Sequence, residues 1–166
     1  IRKEERIRAL ETERNLWQGL YIGALDKLFN YLDDTGKGKF LAENLASSQV
    51  SVKLWALQKA YEQRLAVGPK AAFSSQVGPV LITLISDQDR TVRLKAARLL
   101  ALLDKLNSAE PLLARLQNEQ DPEVRAELFV ALGWACYYAC SPDSPFKLAP
   151  QVRTETLKLA EAYLAM

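Results

Sequence analysis

VLITLISDQDRTVRLKAARLLALL, residues 80–103, and LLARLQNEQDPEVRAELFVALGWA, residues 112–135, decide the fold once they are laid over one another. With Val92-Arg93 placed on Val124-Arg125, Asp89 falls on Asp121, Leu84 on Leu116, Leu81 on Leu113, Leu100 on Leu132 and Leu103 on Ala135. Read alone, the short β-branched run VLITLI at 80–85 suits a buried strand. The second copy, with PLLARL at 111–116, has plain helical spacing, so the alignment makes both copies helical. Two weaker copies extend the register. Val52-Lys53 opens VKLWALQKAYEQ, and Val152-Arg153 opens VRTETLKLAEAY, with Pro150 standing before Val152 as Pro122 stands before Val124. Four anchors spaced 40, 32 and 28 residues apart indicate a stacked array rather than one closed core. The uneven spacing marks the outer units as degenerate or interrupted.

The local chemistry agrees. Asp89 and Asp121 stand where a carboxylate can accept the free N–H groups of a helix start and meet its positive end. Pro122 and Pro150 suit a first helical turn, where no N–H donor is required.

These residues, DQDRTVRLKAARLLALL and DPEVRAELFVALG, resemble HEAT-type repeats of the shorter HEAT-like variety, most closely over 77–140. The resemblance implies units of two antiparallel helices, A and B, with an Asp in the turn between them and a Val-Arg pair opening the B helix. It weakens over 39–66, where Gln49 takes the Asp position and Lys53 the Arg position. It weakens again over 146–166, where Ala149 replaces the Asp and the A helix is almost gone. The implied fold is all-α: a right-handed α-solenoid of about four partly degenerate repeats with an extended concave surface. Residues 1–32 are expected to form a long N-terminal helix with a charged first half. Residues 33–166 are expected to form the array, with B helices starting near 52, 92, 124 and 152.

Composition agrees with helix: 49% hydrophobic, 25% charged, seven Gly and seven Pro. The net charge of +2 is a weak attractant for nucleic acid or an anionic membrane. There is no His, which removes the commonest general base and the commonest zinc ligand. Two Cys cannot build a disulfide framework and favour a reducing, cytoplasmic setting. The longest apolar run, LFVALGWACYYAC at 128–140, falls short of the about 20 residues that span a bilayer. The chain opens on Ile1 with no signal-peptide pattern, as expected of a piece of a larger protein.

In the first segment, Leu16, Trp17, Leu20, Tyr21, Ala24, Leu25, Leu28 and Leu32 recur at helical spacing. Nine of the first fourteen residues are charged, and only Ile7 and Leu10 continue the stripe. This part reads either as a coiled-coil stalk or as a solvated helix end.

DDTGKGKFLAEN, residues 33–44, imitates a calcium loop: Asp33 at position 1, Gly38 at position 6 and Phe40 at position 8 all fit. Thr35 at position 3, Lys37 at position 5 and Asn44 at position 12 do not. GKGK also lacks phosphate-loop spacing. The stretch is expected to bind no metal, with Gly36 and Gly38 ending one helix and reversing the chain. GPKAAFSSQVGP, residues 68–79, reads as a connection with at most one helical turn. Cys136 and Cys140 share a helix face and are expected to be small buried hydrophobes. Trp17, Trp55 and Trp134 are expected to be packing residues.

The remaining pattern concerns the B helices. Counting about 100° per residue from each opening Val, offsets 0, 4, 7, 8 and 11 point inward and are mostly apolar. Offsets 2, 6, 9 and 13 point outward: Leu54, Gln58, Tyr61, Leu65; then Leu94, Arg98, Ala101, Lys105; then Ala126, Val130, Gly133, Tyr137; then Thr154, Lys158, Glu161, Ala165. So much Leu, Val and Tyr on an outward strip marks either a partner site or a surface covered by neighbouring repeats. Leu54, Tyr61, Leu94, Arg98, Val130 and Tyr137 are the expected partner-binding residues. Arg93 and Arg125 are expected to be structural, with Asp89 linked to Arg125 across adjacent repeats. The resemblance implies a non-catalytic protein-interaction scaffold without cofactor. Alternatives are a nucleic-acid-binding module, since some such proteins clamp DNA, or a structural segment of a multidomain protein or enzyme subunit. Bilin lyases and some DNA glycosylases share the repeat, but no residue set here matches their chemistry.

Overall fold

Val52, Val92, Val124 and Val152 are all buried, each in the first turn of a helix. They are the points from which the array is built. A computed structural model describes residues 2–68, 71–103 and 106–165, all helix and connection with no strand among them. In chain order the helices are α1 (Arg2–Tyr31), α2 (Asp34–Leu45), α3 (Val50–Val67), α4 (Ala71–Leu84), α5 (Arg90–Leu100), α6 (Ala109–Asn118), α7 (Pro122–Ala139) and α8 (Pro150–Leu164). They pack as pairs α2/α3, α4/α5 and α6/α7. The second members form one layer, α3 against α5 against α7, and α2 packs against α4. Helix α8 has no helix of its own before it; it packs mainly on α6.

One apolar core runs through these layers, from Phe29 of α1 to Val152 of α8. Helix α5 sits at its centre, with Val92, Ala96, Ala97, Leu99 and Leu100 all buried. At about 1.5–3 kcal/mol for each large side chain taken out of water, this burial is what makes short helices persist.

Two stretches differ from their sequence reading. In 33–44 the chain reverses earlier than Gly36. Asp33 is the N-cap of α2, its carboxylate accepting the Gly36 N–H at 2.7 Å, and both glycines lie inside the helix. Gly38 serves packing instead: a Cβ there would stand 1.7 Å from Oε1 of Gln76 on α4. In 68–79 most of the expected connection is helix α4, with Pro79 inside it. Pro in a helix interior costs about 3 kcal/mol. Burial of Phe73, Val77, Leu81 and Leu84, one stripe along α4, offsets that cost. Gly68, at φ 69° and ψ −167°, holds a positive-φ conformation that glycine adopts without strain, and α3 ends there.

The turns between paired helices repeat their chemistry. Asp89 accepts the Val92 N–H at 2.9 Å, and Asp121 accepts the Glu123 and Val124 N–H groups at 3.1 and 3.0 Å. Two residues earlier, a second side chain holds the cap residue's own N–H: Ser47 for Gln49, Asp87 for Asp89, Glu119 for Asp121, at 2.9–3.1 Å. These earlier acids receive the cations of the preceding repeat. Lys53 reaches Asp87, and Arg93 reaches Glu119 through two bonds of 2.8 and 3.3 Å. The predicted Asp89–Arg125 link is therefore corrected. The ladder runs from each B-helix cation forward to the acid two residues before the next cap. Arg125 turns instead to the Glu119 carbonyl at 2.9 Å. The position it would reach in the next turn is Lys147, a like charge.

Glu119 is the best-buried member of this ladder, 2% exposed. Burial pushes its carboxyl up. Hydrogen bonds from Arg115, the Asp121 N–H and Arg93 outweigh that and hold it at about 2.

Candidate functional site

Helices α3, α5 and α7 present their outward sides as one surface, and its composition changes along the array. On α3, Tyr61 and Leu65 are exposed and Leu54 is half-buried. On α7, Val130, Trp134 and Tyr137 are exposed at 48%, 47% and 67%, one stripe at helical spacing. Trp134 meets Tyr137 edge-on at 5.8 Å and stacks with Tyr138 at 6.0 Å. The rings thus form a cluster open to solvent on one side.

Leu94 departs from its expected place. It is buried, 7% exposed, and belongs to the core. Helix α5 is flanked on both sides, by α3 and by α7, so an outward position near its start is covered. The equivalent Ala126 of α7 is exposed. Lys105, the last position of the α5 strip, lies outside the described residues.

Arg98 is exposed but engaged. It bonds Glu127 at 2.8 Å and Glu123 at 3.3 Å, both on α7, and these acids hold its guanidinium cationic. Arg90 does the same two turns earlier, bonding Asp121 at 2.7 Å and also Glu123. Between α3 and α5, Lys95 bonds Gln58 at 3.4 Å, and a hollow of about 200 Å³ opens among Leu57, Gln58, Tyr61, Lys95 and Arg98. The surface therefore has a polar, cross-linked centre over α5 and an aromatic end on α7.

Of the tryptophans, Trp55 is a packing residue, edge-on to Phe29 and Phe40 at 6.1 Å and donating to Asp26 at 3.3 Å. Trp17 and Trp134 are not; both are exposed, 62% and 47%. Sequence reasoning missed Trp134 as a surface residue. The available signal was the short final spacing between Val124 and Val152, which leaves α8 without a partner to complete the layer beyond α7. Cys136 is half-buried and its thiol is pushed up by burial, whereas Cys140 is exposed rather than buried.

In 33–44 the carboxylate of Asp33 is spent on the Gly36 N–H, and the backbone from Asp34 onward is helical rather than wrapped around a centre. Among the described residues no group of three or more His, Cys, Asp or Glu is placed to hold a metal ion. No described helix is long and apolar enough to cross a membrane.

The family model described as HEAT repeats matches residues 38–133 and, in a second overlapping register, 77–156. Such repeats generally mediate protein–protein interaction and are typically non-catalytic. Comparison with curated proteins and with solved structures returned no match. With well over half of its length matched, the chain belongs to the HEAT repeat family.

Proposed function

We propose that this chain is a non-catalytic scaffold whose outward B-helix surface receives a protein partner, anchored on Val130, Trp134 and Tyr137 with Tyr61 at the far end. The observation that carries the reading is the α7 stripe. Three large side chains at 47–67% exposure lie contiguous on a helix whose opposite face is fully packed. Aromatic residues with rigid side chains make effective anchors when a partner covers them, and contiguous exposed apolar surface is uncommon without such a use. Leu54 and Arg98 then sit at the rim. Leu94 supports the surface from beneath. Arg90 and Arg98 are each engaged by two acids, which weighs against a phosphate-binding role for this face.

Photo-cross-linking tests the reading. A photoreactive residue is placed at Val130 or Tyr137 on α7, and in parallel at Ala114 or Asn118 on α6, in extracts of the source cells. The α7 positions are expected to capture a polypeptide that is lost in the Trp134→Ala background, with nothing captured from α6. Capture confined to the α6 positions would overturn it.

A further inference from the structure

Helix α1 has two apolar faces and uses one. Ile22, Leu25, Asp26, Phe29 and Leu32 turn toward the array: Leu25 and Phe29 are buried, and Asp26 bonds Lys59 at 2.9 Å. Leu10, Trp17, Leu20, Tyr21, Leu28 and Tyr31 lie on a different side, roughly 120° around the helix at 3.6 residues per turn. All six are at least half exposed, Tyr31 at 90%. Their spacing follows a seven-residue repeat, 10–17–24–31, with 20/21 and 28 between, which is the spacing of a two-helix seam; Ile7 and Leu16 are exposed outside it.

The seam is complementary to itself when reversed. If residues 20 and 21 meet their own copies, Trp17 faces the small Ala24 of the other chain, twice, and Leu10 faces Tyr31. Glu13 and Lys27 lie on the same rim of the seam, and reversal brings each Glu13 to the other chain's Lys27, again twice. The parallel arrangement places Trp17 beside Trp17 and leaves Glu13 and Lys27 of opposite chains fourteen residues apart. Bulk meets bulk and the opposite-charge pairs are lost. We propose that α1 pairs antiparallel with α1 of a second copy of this chain, about a two-fold axis near residues 20 and 21. The interface is isologous, so it closes at two copies. Helix α1 packs on α3, at the opposite end of the layer from α7, so the pair presents the aromatic α7 end of the surface twice.

Sedimentation equilibrium of the full chain tests this, with charge exchange as the discriminating variant. The wild-type chain is expected to sediment as a dimer at micromolar concentration. Leu20→Glu is expected to be monomeric, with unchanged helicity by circular dichroism because Leu20 is exposed. Glu13→Lys alone, and Lys27→Glu alone, are each expected to weaken the dimer about tenfold, equivalent to about 1.4 kcal/mol. The double exchange is expected to restore it. A chain that stays monomeric up to submillimolar concentration overturns the proposal. So does a dimer that survives Leu20→Glu, or one that the double exchange fails to restore.

Discussion

The turn at 119–121 and the turn at 147–149 occupy the same place in successive repeats and share almost no chemistry. In the first, Asp121 caps α7, Glu119 holds the cap residue's N–H, Arg93 arrives from the preceding repeat, and Arg115 closes the set at 2.6 Å. In the second, Ala149 offers no side-chain cap, Lys147 stands where the acid would be, and no A helix precedes. The packing follows the turns. Helix α7 buries Val124, Leu128, Ala131, Leu132 and Ala135, whereas α8 buries only Val152 among its described residues. Apolar periodicity alone makes a helix possible at both places. At this end of the array the lost turn goes with a helix that docks elsewhere, onto α6, whereas the sparer turn at Ser47–Gln49, with no side-chain cap, still delivers α3 to the layer.

The strongest way to break this contrast is to remove Glu119. Glu119→Ala leaves Arg93 and Arg115 without their carboxylate, and the Gln120 and Asp121 N–H groups without an acceptor. Denaturant unfolding is expected to show a loss of about 3–5 kcal/mol. The positional equivalent in the last turn, Lys147→Ala, is expected to change stability by less than about 0.5 kcal/mol. Equal effects would refute the contrast.

Acid titration probes the same residue without mutation. The folded value of Glu119, about 2, lies below its ordinary 4.5, so its contribution is present above 4.5 and lost as pH falls through about 2. The contribution is on the order of 3 kcal/mol. Asp87, Asp121, Asp26 and Glu62 are also lowered and add in the same direction. In Glu119→Gln the slope of stability against pH between 4.5 and 2 is expected to flatten in part while retaining the share of the other acids. An unchanged slope would remove Glu119 from the account.

Caps give the next effect down. Asp89→Ala and Asp121→Ala are each expected to cost about 1 kcal/mol by thermal or denaturant unfolding. Ala149→Asp runs the comparison backwards. Its backbone, at φ −60° and ψ 137°, already has the extended conformation of a cap residue. Adding the carboxylate is expected to stabilise by about 0.5–1 kcal/mol. The smallest effect belongs to the surface: Tyr137→Ser is expected to move stability by less than about 0.5 kcal/mol while abolishing capture of the partner.

The repeat was legible because its signal is redundant. Val-Arg anchors, capping Asp and periodic Leu at 81–103 recur at 113–135, so each copy interprets the other. Helix α4 was hidden by Gly68, Gly78 and Pro79, which read as punctuation locally and are overridden by the burial of Phe73, Val77 and Leu81. Gly38 read as a chain reversal because the sequence does not show Gln76 lying against it. The ladder's members were legible as charges but not its direction, which depends on how far one turn is displaced from the next. Likewise a helical wheel places Leu94 and Trp134 by angle alone. Whether a neighbouring helix covers that angle is a property of the stack, which hides Leu94 between α3 and α7 and leaves Trp134 open at the stack's end.

Native-state hydrogen exchange, resolved by helix, tests the central claim that the acid-bearing turns, and not apolar periodicity alone, hold α5 and α7 in the stack. The account predicts the slowest amides in α5 and α7, which share Glu119 and the capped turns, and exchange in α8 faster by orders of magnitude despite its comparable length. Protection of α8 equal to that of α7 would contradict it.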